Sequence, residues 1–312
     1  ERTMGLLNDI VRNFREWIGV QAAPQEPCLT MTVHEQALLR DEGYAARREE
    51  AQRQISLYSK KVAPPAVMTV RTVVHLVHYR DGTMYVSDKE VHDQLAALNL
   101  CFAAAKSKVS GVPLTWKKLT GDSMIRFELA THDPDGKPTT GIERRKSNTR
   151  AFGSEEDTSK PACIKRYVDG GLEAWDATRY FNVWVGNLLT GAGYARYPGA
   201  LPPDDGVVVD YLRFGLGPAA SSPNNLGHHG VHEAGHWLNL RHLWEDRFLD
   251  TPSQTRGHYG QPPFPCCPTP GANHMYMNFM DYPDDNVTCF FTPDQRAEML
   301  ATLTTVRSGV WY

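Results

Sequence analysis

The sequence predicts an α+β fold, because strand-like and helical segments precede a histidine-rich helix and irregular chain follows it. Runs of β-branched residues indicate strands, and apolar residues three and four positions apart indicate helices. Between residues 244 and 270 the chain is rich in Pro, Gly, Asp and Cys, which favours irregular structure. With 312 residues, 41% of them hydrophobic, the chain can form one domain of roughly 200–250 residues and an additional segment.

The N-terminal part of the chain is predicted to be helical. Apolar residues between positions 3 and 18 recur at helical spacing, and Pro24 and Pro27 end that helix. Residues 32–58, rich in Ala, Glu, Gln and Arg, predict a second helix. The pair Lys60-Lys61 and the stretch V-A-P-P-A then indicate a linker.

The remaining elements follow in order along the chain. Ser87 and Glu90 have the spacing of a capping box, which predicts a helix that continues to about Ala104. Thr292 and Pro293 begin a last helix, with proline at its first position. Strands are predicted at 68–79, 124–130, 141–145, 180–185 and 206–211, a polar loop at 146–162, and further helices at 226–238 and 292–304.

The helix predicted at 226–238 carries the motif H-E-x-x-H. His232 and His236 are four residues apart, so a helix places both imidazoles on one face, where they can bind one metal ion. Glu233 can reach a water molecule on that ion without binding the ion itself. This pattern is typical of zinc hydrolases, with the glutamate as general base.

A third histidine, His242, follows six residues after His236. A straight helix would carry it about 9 Å further along the axis, so the chain must leave the helix and turn back. The turn is predicted at Asn239, whose short polar side chain tolerates the left-handed backbone conformation that ends helices. Three histidines and one glutamate at these offsets indicate a metal site, whereas isolated histidines are more often ordinary surface or strand residues.

Charge and cysteine content limit the function classes. The net charge of −3 gives no indication of nucleic-acid binding, and no apolar run approaches the roughly 20 residues that span a membrane. No C-x-x-C pair indicates a zinc ribbon, so disulfide bonds in an exported protein explain the six cysteines better. These cysteines are Cys28, Cys101, Cys163, Cys266, Cys267 and Cys289.

The chain resembles the pappalysin family of metzincin metalloproteases, especially its small secreted microbial members. The resemblance covers roughly residues 68–304 and is carried by R-T-V-V-H-L-V-H-Y, W-D-A-T-R-Y-F-N-V-W-V, G-Y-A-R-Y-P-G, N-L-G-H-H-G-V-H-E-A-G-H-W-L, N-F-M-D-Y-P-D-D and F-T-P-D-Q. Two features depart from the family: Asn239 replaces the glycine of H-E-x-x-H-x-x-G-x-x-H, and the stretch between His242 and Asp250 is short.

The resemblance implies a zincin-like fold with a twisted, mostly parallel sheet and the active-site helix above a cleft. An irregular lower subdomain would carry a Met-turn and the C-terminal helix. Residues 1–61 would be a prosegment and residues 62–312 the catalytic domain, with upper and lower subdomains at about 62–238 and 239–312.

The resemblance also implies a secreted zinc endopeptidase that is made as a latent zymogen and acts on protein or peptide substrates. A zinc-bound water would attack the peptide bond, with Glu233 as general base. Two alternatives remain open. One is a zinc hydrolase of non-peptide substrates, and the other is a degenerate zinc-binding module without activity, for which Asn239 is the sole support.

Further site residues follow from the resemblance. Met280 would be the Met-turn methionine beneath the metal, and Tyr282 would stabilise the reaction intermediate. An extended substrate would pair with residues 193–197, beside Tyr194. An acidic residue beyond the Met-turn would favour Arg or Lys after the scissile bond. The candidates for this acid are Asp284 and Asp285, although Asn286 can occupy its place instead.

Family members hold calcium after the zinc helix, which makes Asp250 and Thr251 candidate calcium ligands; the alternative is a simple Asp-capped turn. The family also ties this loop to the segment after the Met-turn, which suggests that Cys289 pairs with Cys266 or Cys267. A pairing of Cys101 with Cys163 is a further expectation.

Cys28 is predicted to be the latch of the zymogen. It lies in a proline-flanked stretch between two predicted helices, and a thiolate can take the fourth position on zinc. Glu26 and Leu29 differ from the family's flanking residues, so the surrounding contacts must differ too. The alternative is a structural disulfide. Activation would require a cut near residues 59–61, leaving an N-terminus between Lys60 and Val67.

Overall fold

A computed structural model describes residues 28–59, 66–153, 162–216, 223–245, 248–262 and 274–312. The helix predicted at 3–18, the Lys60-Lys61 pair and both Cys266 and Cys267 lie outside these residues. In the part of the chain that is described, no helix is long and apolar enough to cross a membrane.

The centre of the fold is a sheet with the order β2-β1-β4-β6-β5, in which β3 also pairs with β1. All pairs are parallel except β5 with β6. The predicted α+β class with a mostly parallel sheet is confirmed. The strands are β1 Met68–Tyr79, β2 Ile125–Leu129, β3 Ile142–Ser147, β4 Phe181–Gly186, β5 Gly193–Ala195 and β6 Val207–Asp210.

Seven α-helices, numbered over the described residues, surround the sheet. Two of them begin with capping boxes, Ser87 with Glu90 and Thr292 with Gln295, as the sequence predicted for the first. The helices are α1 Thr30–Arg40, α2 Tyr44–Ser59, α3 Asp88–Phe102, α4 Lys106–Val109, α5 Leu114–Lys117, α6 His228–Trp237 and α7 Pro293–Thr304. The two short helices α4 and α5 were not predicted, because a four-residue segment is too short to show the helical spacing of apolar residues.

Strands β4, β5 and β6 are buried on both faces. On β4, Phe181, Val183 and Val185 point into the larger core, which α3, α6 and α7 also line. Trp184 points to the other face, into a smaller core with Val33 of α1. The sheet therefore lies between α6, which carries the histidine motif, and the smaller core.

The predicted helix at 32–58 is instead two helices, and the prediction was wrong at residues 41–43. The Asp41 side chain accepts a hydrogen bond from the Gly43 amide at 3.1 Å, and the Asp41 carbonyl accepts one from the Tyr44 amide at 3.0 Å. These bonds form a turn that competes with helix continuation, as aspartate often does. Because of this turn, α1 contacts β5 while α2 packs on α7.

No disulfide bond forms among the cysteines that the structure describes. The Cys101 thiol is free and lies 3.6 Å from His228 Nε2, in the larger core. Ile164, next to Cys163, packs in the smaller core, so the sheet separates the two cysteines. Cys28 and Cys289 are also free, buried thiols. The expected pairing of Cys289 with Cys266 or Cys267 is therefore absent from this structure.

Gln94 of α3 sets the position of α6. Its side-chain amide donates to the Gly227 carbonyl at 2.8 Å, and its oxygen accepts from the Gly215 amide at 2.9 Å. Gly227 precedes α6 and has φ 74°, a conformation that suits glycine. Gln94 is almost fully buried, so both backbone groups depend on it.

We expect Gln94→Met to lower the free energy of unfolding by about 2–4 kcal/mol, because two buried backbone groups lose their partner. Chemical denaturation measures this change. Lys89→Met, an exposed change on the same helix, is the matched control and should stay within about 0.5 kcal/mol. Equal stability of the two variants would contradict this role of Gln94.

Candidate metal centre

Three histidines converge on one point, as the motif predicted. His232 and His236 come from α6, and His242 follows the turn after it. His236 Nε2 lies 3.0 Å from His232 Nε2 and 3.0 Å from His242 Nε2. Tetrahedral zinc with Zn–N bonds of 2.0–2.1 Å would separate its ligand nitrogens by about 3.3 Å, which is close to this spacing.

The outer nitrogen of each imidazole has its own acceptor. His232 Nδ1 lies 2.7 Å from the Phe279 carbonyl, and His236 Nδ1 lies 2.8 Å from the Leu240 carbonyl. His242 Nδ1 lies 3.1 Å from a Glu245 carboxylate oxygen. With the proton on each Nδ1, all three Nε2 atoms are lone-pair acceptors that face one another. A cation at the centre would satisfy all three lone pairs, so these residues fit a zinc ion.

Burial also keeps the histidines in the neutral form that metal binding needs. It lowers the pKa of His232 to about 4 and the pKa values of His236 and His242 well below the usual range. Protonation of any of them at neutral pH is therefore disfavoured before a metal binds. Among the described residues, this is the one histidine, cysteine and carboxylate cluster that could hold a metal ion.

Asn239 makes the turn that brings His242 back, as predicted. Its φ is 77°, in the left-handed region, and the amides of Asn239 and Leu240 bond to the carbonyls of His236 and Gly235. The Asn239 side-chain nitrogen, Nδ2, also donates to the carboxylate of Glu298 on α7 and, at 3.1 Å, to the side-chain oxygen of Gln52 on α2. These side-chain bonds offset the cost of placing asparagine where glycine is easier.

Met280, the predicted Met-turn methionine, packs against α6 close to the histidines. Its sulfur is 2.6 Å from the point where a Cβ on Gly235 would lie, and its side chain is fully buried. Gly235, in the middle of α6, therefore gives the methionine room to pack against the helix. Tyr282 OH lies 2.8 Å from His242 Nε2, at the edge of the cluster.

Glu233 is fully buried next to the cluster. Burial raises the pKa of its carboxyl to about 8, and hydrogen bonds from Thr30 and Cys28 lower it in part. Thr30 Oγ1 donates to Glu233 Oε2 at 2.9 Å. The other oxygen, Oε1, has no hydrogen-bond partner among the described residues, so it is available to a ligand.

Cys28 lies next to the three histidines and is the fourth member of the cluster. Its sulfur is within 4.8 Å of the three histidine nitrogens and 3.6 Å from Glu233 Oε2. In the absence of a cation, burial and then the charge of Glu233 raise the pKa of the thiol well above its usual range. A bound metal ion reverses this effect, because coordinating thiols are deprotonated.

The segment around Cys28 runs along β5. Cys28 forms a parallel bridge with Gly193, and the Leu29 amide donates to the Gly193 carbonyl at 2.9 Å. The Thr30 hydroxyl accepts a hydrogen bond from the Ala195 amide at 2.8 Å. Thr30 thus touches both Glu233 and the edge strand, a role that sequence reasoning missed because its partners lie more than 160 residues away.

Tyr194 does not face the site. Its side chain is fully buried in the smaller core on the opposite face of the sheet, under Lys165. Strand alternation explains this direction, since Gly193 and Ala195 point towards the cleft side and Tyr194 points away. The predicted main-chain pairing of a substrate with residues 193–197 does not involve this side chain and stays a prediction.

A cavity of about 230 Å³ opens beside the metal site, between α6 and the chain after Met280. Asp284 is half-buried at this cavity, and its carboxylate accepts a 2.6 Å hydrogen bond from Gln261. Asp285 is buried and accepts hydrogen bonds from the amides of Leu226 and His228. Burial raises the pKa of Asp285 to about 6. Asp285 therefore holds the start of α6, which leaves Asp284 better placed to meet a ligand.

The two candidate calcium ligands make contacts within the protein. Asp250 Oδ2 accepts a hydrogen bond of 2.8 Å from the Asp294 amide in the first turn of α7. The Thr251 hydroxyl donates to the Phe248 carbonyl at 3.0 Å. The described residues contain no second metal cluster, so the structure gives the calcium expectation no support.

Comparisons with known proteins agree with this geometry. A peptidase family model described as pregnancy-associated plasma protein-A matches residues 169–304. An extracellular metalloprotease of Aspergillus oryzae is 35% identical over 268 residues, which cover 78% of each chain. Another, from Verticillium alfalfae, is 29% identical over 268 residues, 81% of each chain.

Solved structures are similar as well. A promirolysin variant of Tannerella forsythia is 32% identical with a TM-score of 0.76, covering 91% of this chain and 97% of its own. Mature mirolysin in complex with a cleaved peptide is 33% identical with a TM-score of 0.71, covering 79% of this chain and 96% of its own. With the three-histidine centre, the left-handed turn at residue 239 and the methionine beneath, the chain belongs to the pappalysin family of metzincin metalloendopeptidases.

Proposed function

We propose that this protein is a secreted zinc endopeptidase that is made in a latent form and cuts protein or peptide chains. The observation that carries the proposal is the set of three converging Nε2 atoms with Cys28 and Glu233 beside them, 3.6 Å apart. Secretion is supported by relatives that are named extracellular metalloproteases.

His232, His236 and His242 would hold the zinc ion. Zinc in such a site lowers the pKa of water and polarises a carbonyl group. Glu233 would accept a proton from the attacking water and pass it to the leaving nitrogen. Its burial, which raises the pKa of its carboxyl, suits a group that must both take and give a proton.

Tyr282 would act on the oxygen that becomes negative during attack. Its hydroxyl lies beside His242 Nε2, so it is within reach of a carbonyl that approaches the metal site. A phenol at this place can donate a hydrogen bond that strengthens as charge develops.

The substrate would lie along β5 as an added strand. In the structure the Gly193 carbonyl and the Ala195 amide of this strand already bond to residues 29 and 30. The same groups are the ones that an extended peptide would use in β-augmentation. This favours a peptide substrate over the non-peptide alternative, and the intact Glu233 argues against a degenerate module.

Residues 28–59, as part of a prosegment spanning 1–61, would keep the enzyme latent, and residues 62–312 would form the catalytic domain. The Cys28 sulfur would occupy the fourth position on zinc. Thr30 would hold the general base and cover the Ala195 amide at the same time. Latency would then arise from occupation of the site, because the catalytic residues are already in place.

The proposed mechanism predicts the behaviour of Glu233→Ala. We expect this variant to lose at least about 100-fold in peptide hydrolysis, because the proton transfer has no base. Its zinc content should stay at one ion per chain, since the three histidines remain. Metal analysis and a peptide assay of the activated protein measure both quantities, with the exposed Glu173→Ala as control. Hydrolysis at the parent rate in Glu233→Ala would exclude the mechanism.

A second prediction concerns latency. We expect Cys28→Ala to activate faster than the parent, with an active N-terminus between Lys60 and Val67. Thr30→Val removes only the hydroxyl and should weaken docking of the segment by about 1.5–3 kcal/mol, the range for a hydrogen bond to a charged group. Residual activity of the uncleaved chain and N-terminal sequencing measure these effects, and Thr83→Val serves as an exposed control. If Cys28→Ala and Thr30→Val are both as latent as the parent, neither contact contributes to latency.

The third prediction concerns specificity. A peptide library should show Arg or Lys after the cleaved bond, because Asp284 lies at the cavity beside His232. Asp284→Asn should reduce this preference by about 2- to 5-fold, since a half-exposed ion pair contributes about 0.5–1 kcal/mol. The exposed Asp135→Asn should leave the profile unchanged. A parent profile dominated by apolar residues at that position would refute the role of Asp284.

A further inference from the structure

We infer that Glu245 is a positioning residue of the metal site: it holds the imidazole of His242 in the orientation and tautomer that bind zinc. This inference rests on the proposed function, because it assumes that His242 is a zinc ligand.

The contact is a single hydrogen bond between side chains. Glu245 Oε2 lies 3.1 Å from His242 Nδ1. The corresponding acceptors for His232 and His236 are the backbone carbonyls of Phe279 and Leu240. Among these three imidazoles, His242 alone has a carboxylate partner. A carboxylate raises the basicity of a metal-binding histidine more than a neutral carbonyl does.

His242 needs such support because of its place in the chain. His232 and His236 are fixed by α6, whereas His242 lies beyond the left-handed turn at Asn239, outside any helix or strand. The Glu245 amide bonds to the His242 carbonyl at 2.9 Å, which folds the chain into a tight turn. That turn brings the Glu245 carboxylate back to the ring.

The neighbouring tryptophan restrains the same ring in a second direction. The Trp244 ring stacks on the His242 ring with centroids 4.5 Å apart and planes 8° apart. Stacking fixes the plane of the imidazole but permits a 180° flip about the Cβ–Cγ bond, and a flipped ring would present the Cε1 carbon where Nε2 lies. The Glu245 hydrogen bond removes this freedom, because it requires the proton on Nδ1 and leaves Nε2 for the metal.

The Glu245 side chain is 22% exposed, so its charge is only partly screened by water. Its negative charge lies one imidazole away from the point where the divalent ion would bind. It would therefore contribute to zinc binding in two ways, through ring orientation and through charge.

The test compares Glu245→Ala and Glu245→Gln in the full chain. Zinc affinity is measured by competition with a chromogenic chelator, and the melting temperature is measured with and without zinc. We expect Glu245→Ala to weaken zinc binding by about 10- to 100-fold, the range for partners of ligating histidines. Glu245→Gln keeps an oxygen acceptor without the charge, so its loss should be smaller than that of alanine. The exposed Glu173→Gln is the matched control.

The melting temperature of the metal-free protein separates positioning from a general structural role. We expect it to be unchanged in Glu245→Gln, while the gain in melting temperature on adding zinc becomes smaller. Parent zinc affinity in both Glu245 variants would overturn the inference. In that case, an equal fall in melting temperature with and without zinc would show that Glu245 has only a general structural role. If Glu245→Ala does not fold, Glu245→Gln alone decides.

The inference and the proposed function can fail separately. If the parent binds zinc no better than a His232→Ala variant, the proposed zinc site fails. If the parent binds zinc through the histidines and the Glu245 variants bind it equally well, the positioning role fails and the zinc site stands.

Discussion

The structure depends on three neutral imidazoles that point their lone pairs at one buried point. Three converging acceptors leave little room for water or protein donors between them, so a bound cation would stabilise the centre. The Nδ1 atom of each ring has a hydrogen-bond acceptor. These acceptors are the Phe279 carbonyl, the Leu240 carbonyl and the Glu245 carboxylate. The fold therefore has to bring together α6, the turn after it and the chain near Met280, which are distant from one another in sequence.

Much of this could be predicted from local sequence. Strand β1 and helix α3 have the expected bounds to within two residues, because long β-branched runs and a capping box are strong signals. The left-handed turn at Asn239 followed from the need to return His242 to the helix face. In each case the deciding contacts lie within a few residues of one another, so the pattern of side chains is sufficient.

Other features could not be predicted, and the reason is mostly distance along the chain. Thr30 and Glu233 are 203 residues apart, and no spacing rule relates them. The direction of Asp285 depends on the backbone amides of Leu226 and His228, which lie 59 and 57 residues before it. One miss was avoidable, because D-E-G at residues 41–43 is a turn signal.

The Thr30 hydroxyl has one more consequence. At Ala195 the edge strand receives a side-chain oxygen where an extended peptide would offer a backbone carbonyl, and the same hydroxyl fills the place next to Glu233. The bound segment thus imitates the shape of a peptide without offering a bond for attack at that place. If the proposed latency holds, this segment would act as a durable inhibitor instead of a slow substrate, and the chain would have to be cut elsewhere before the enzyme could work.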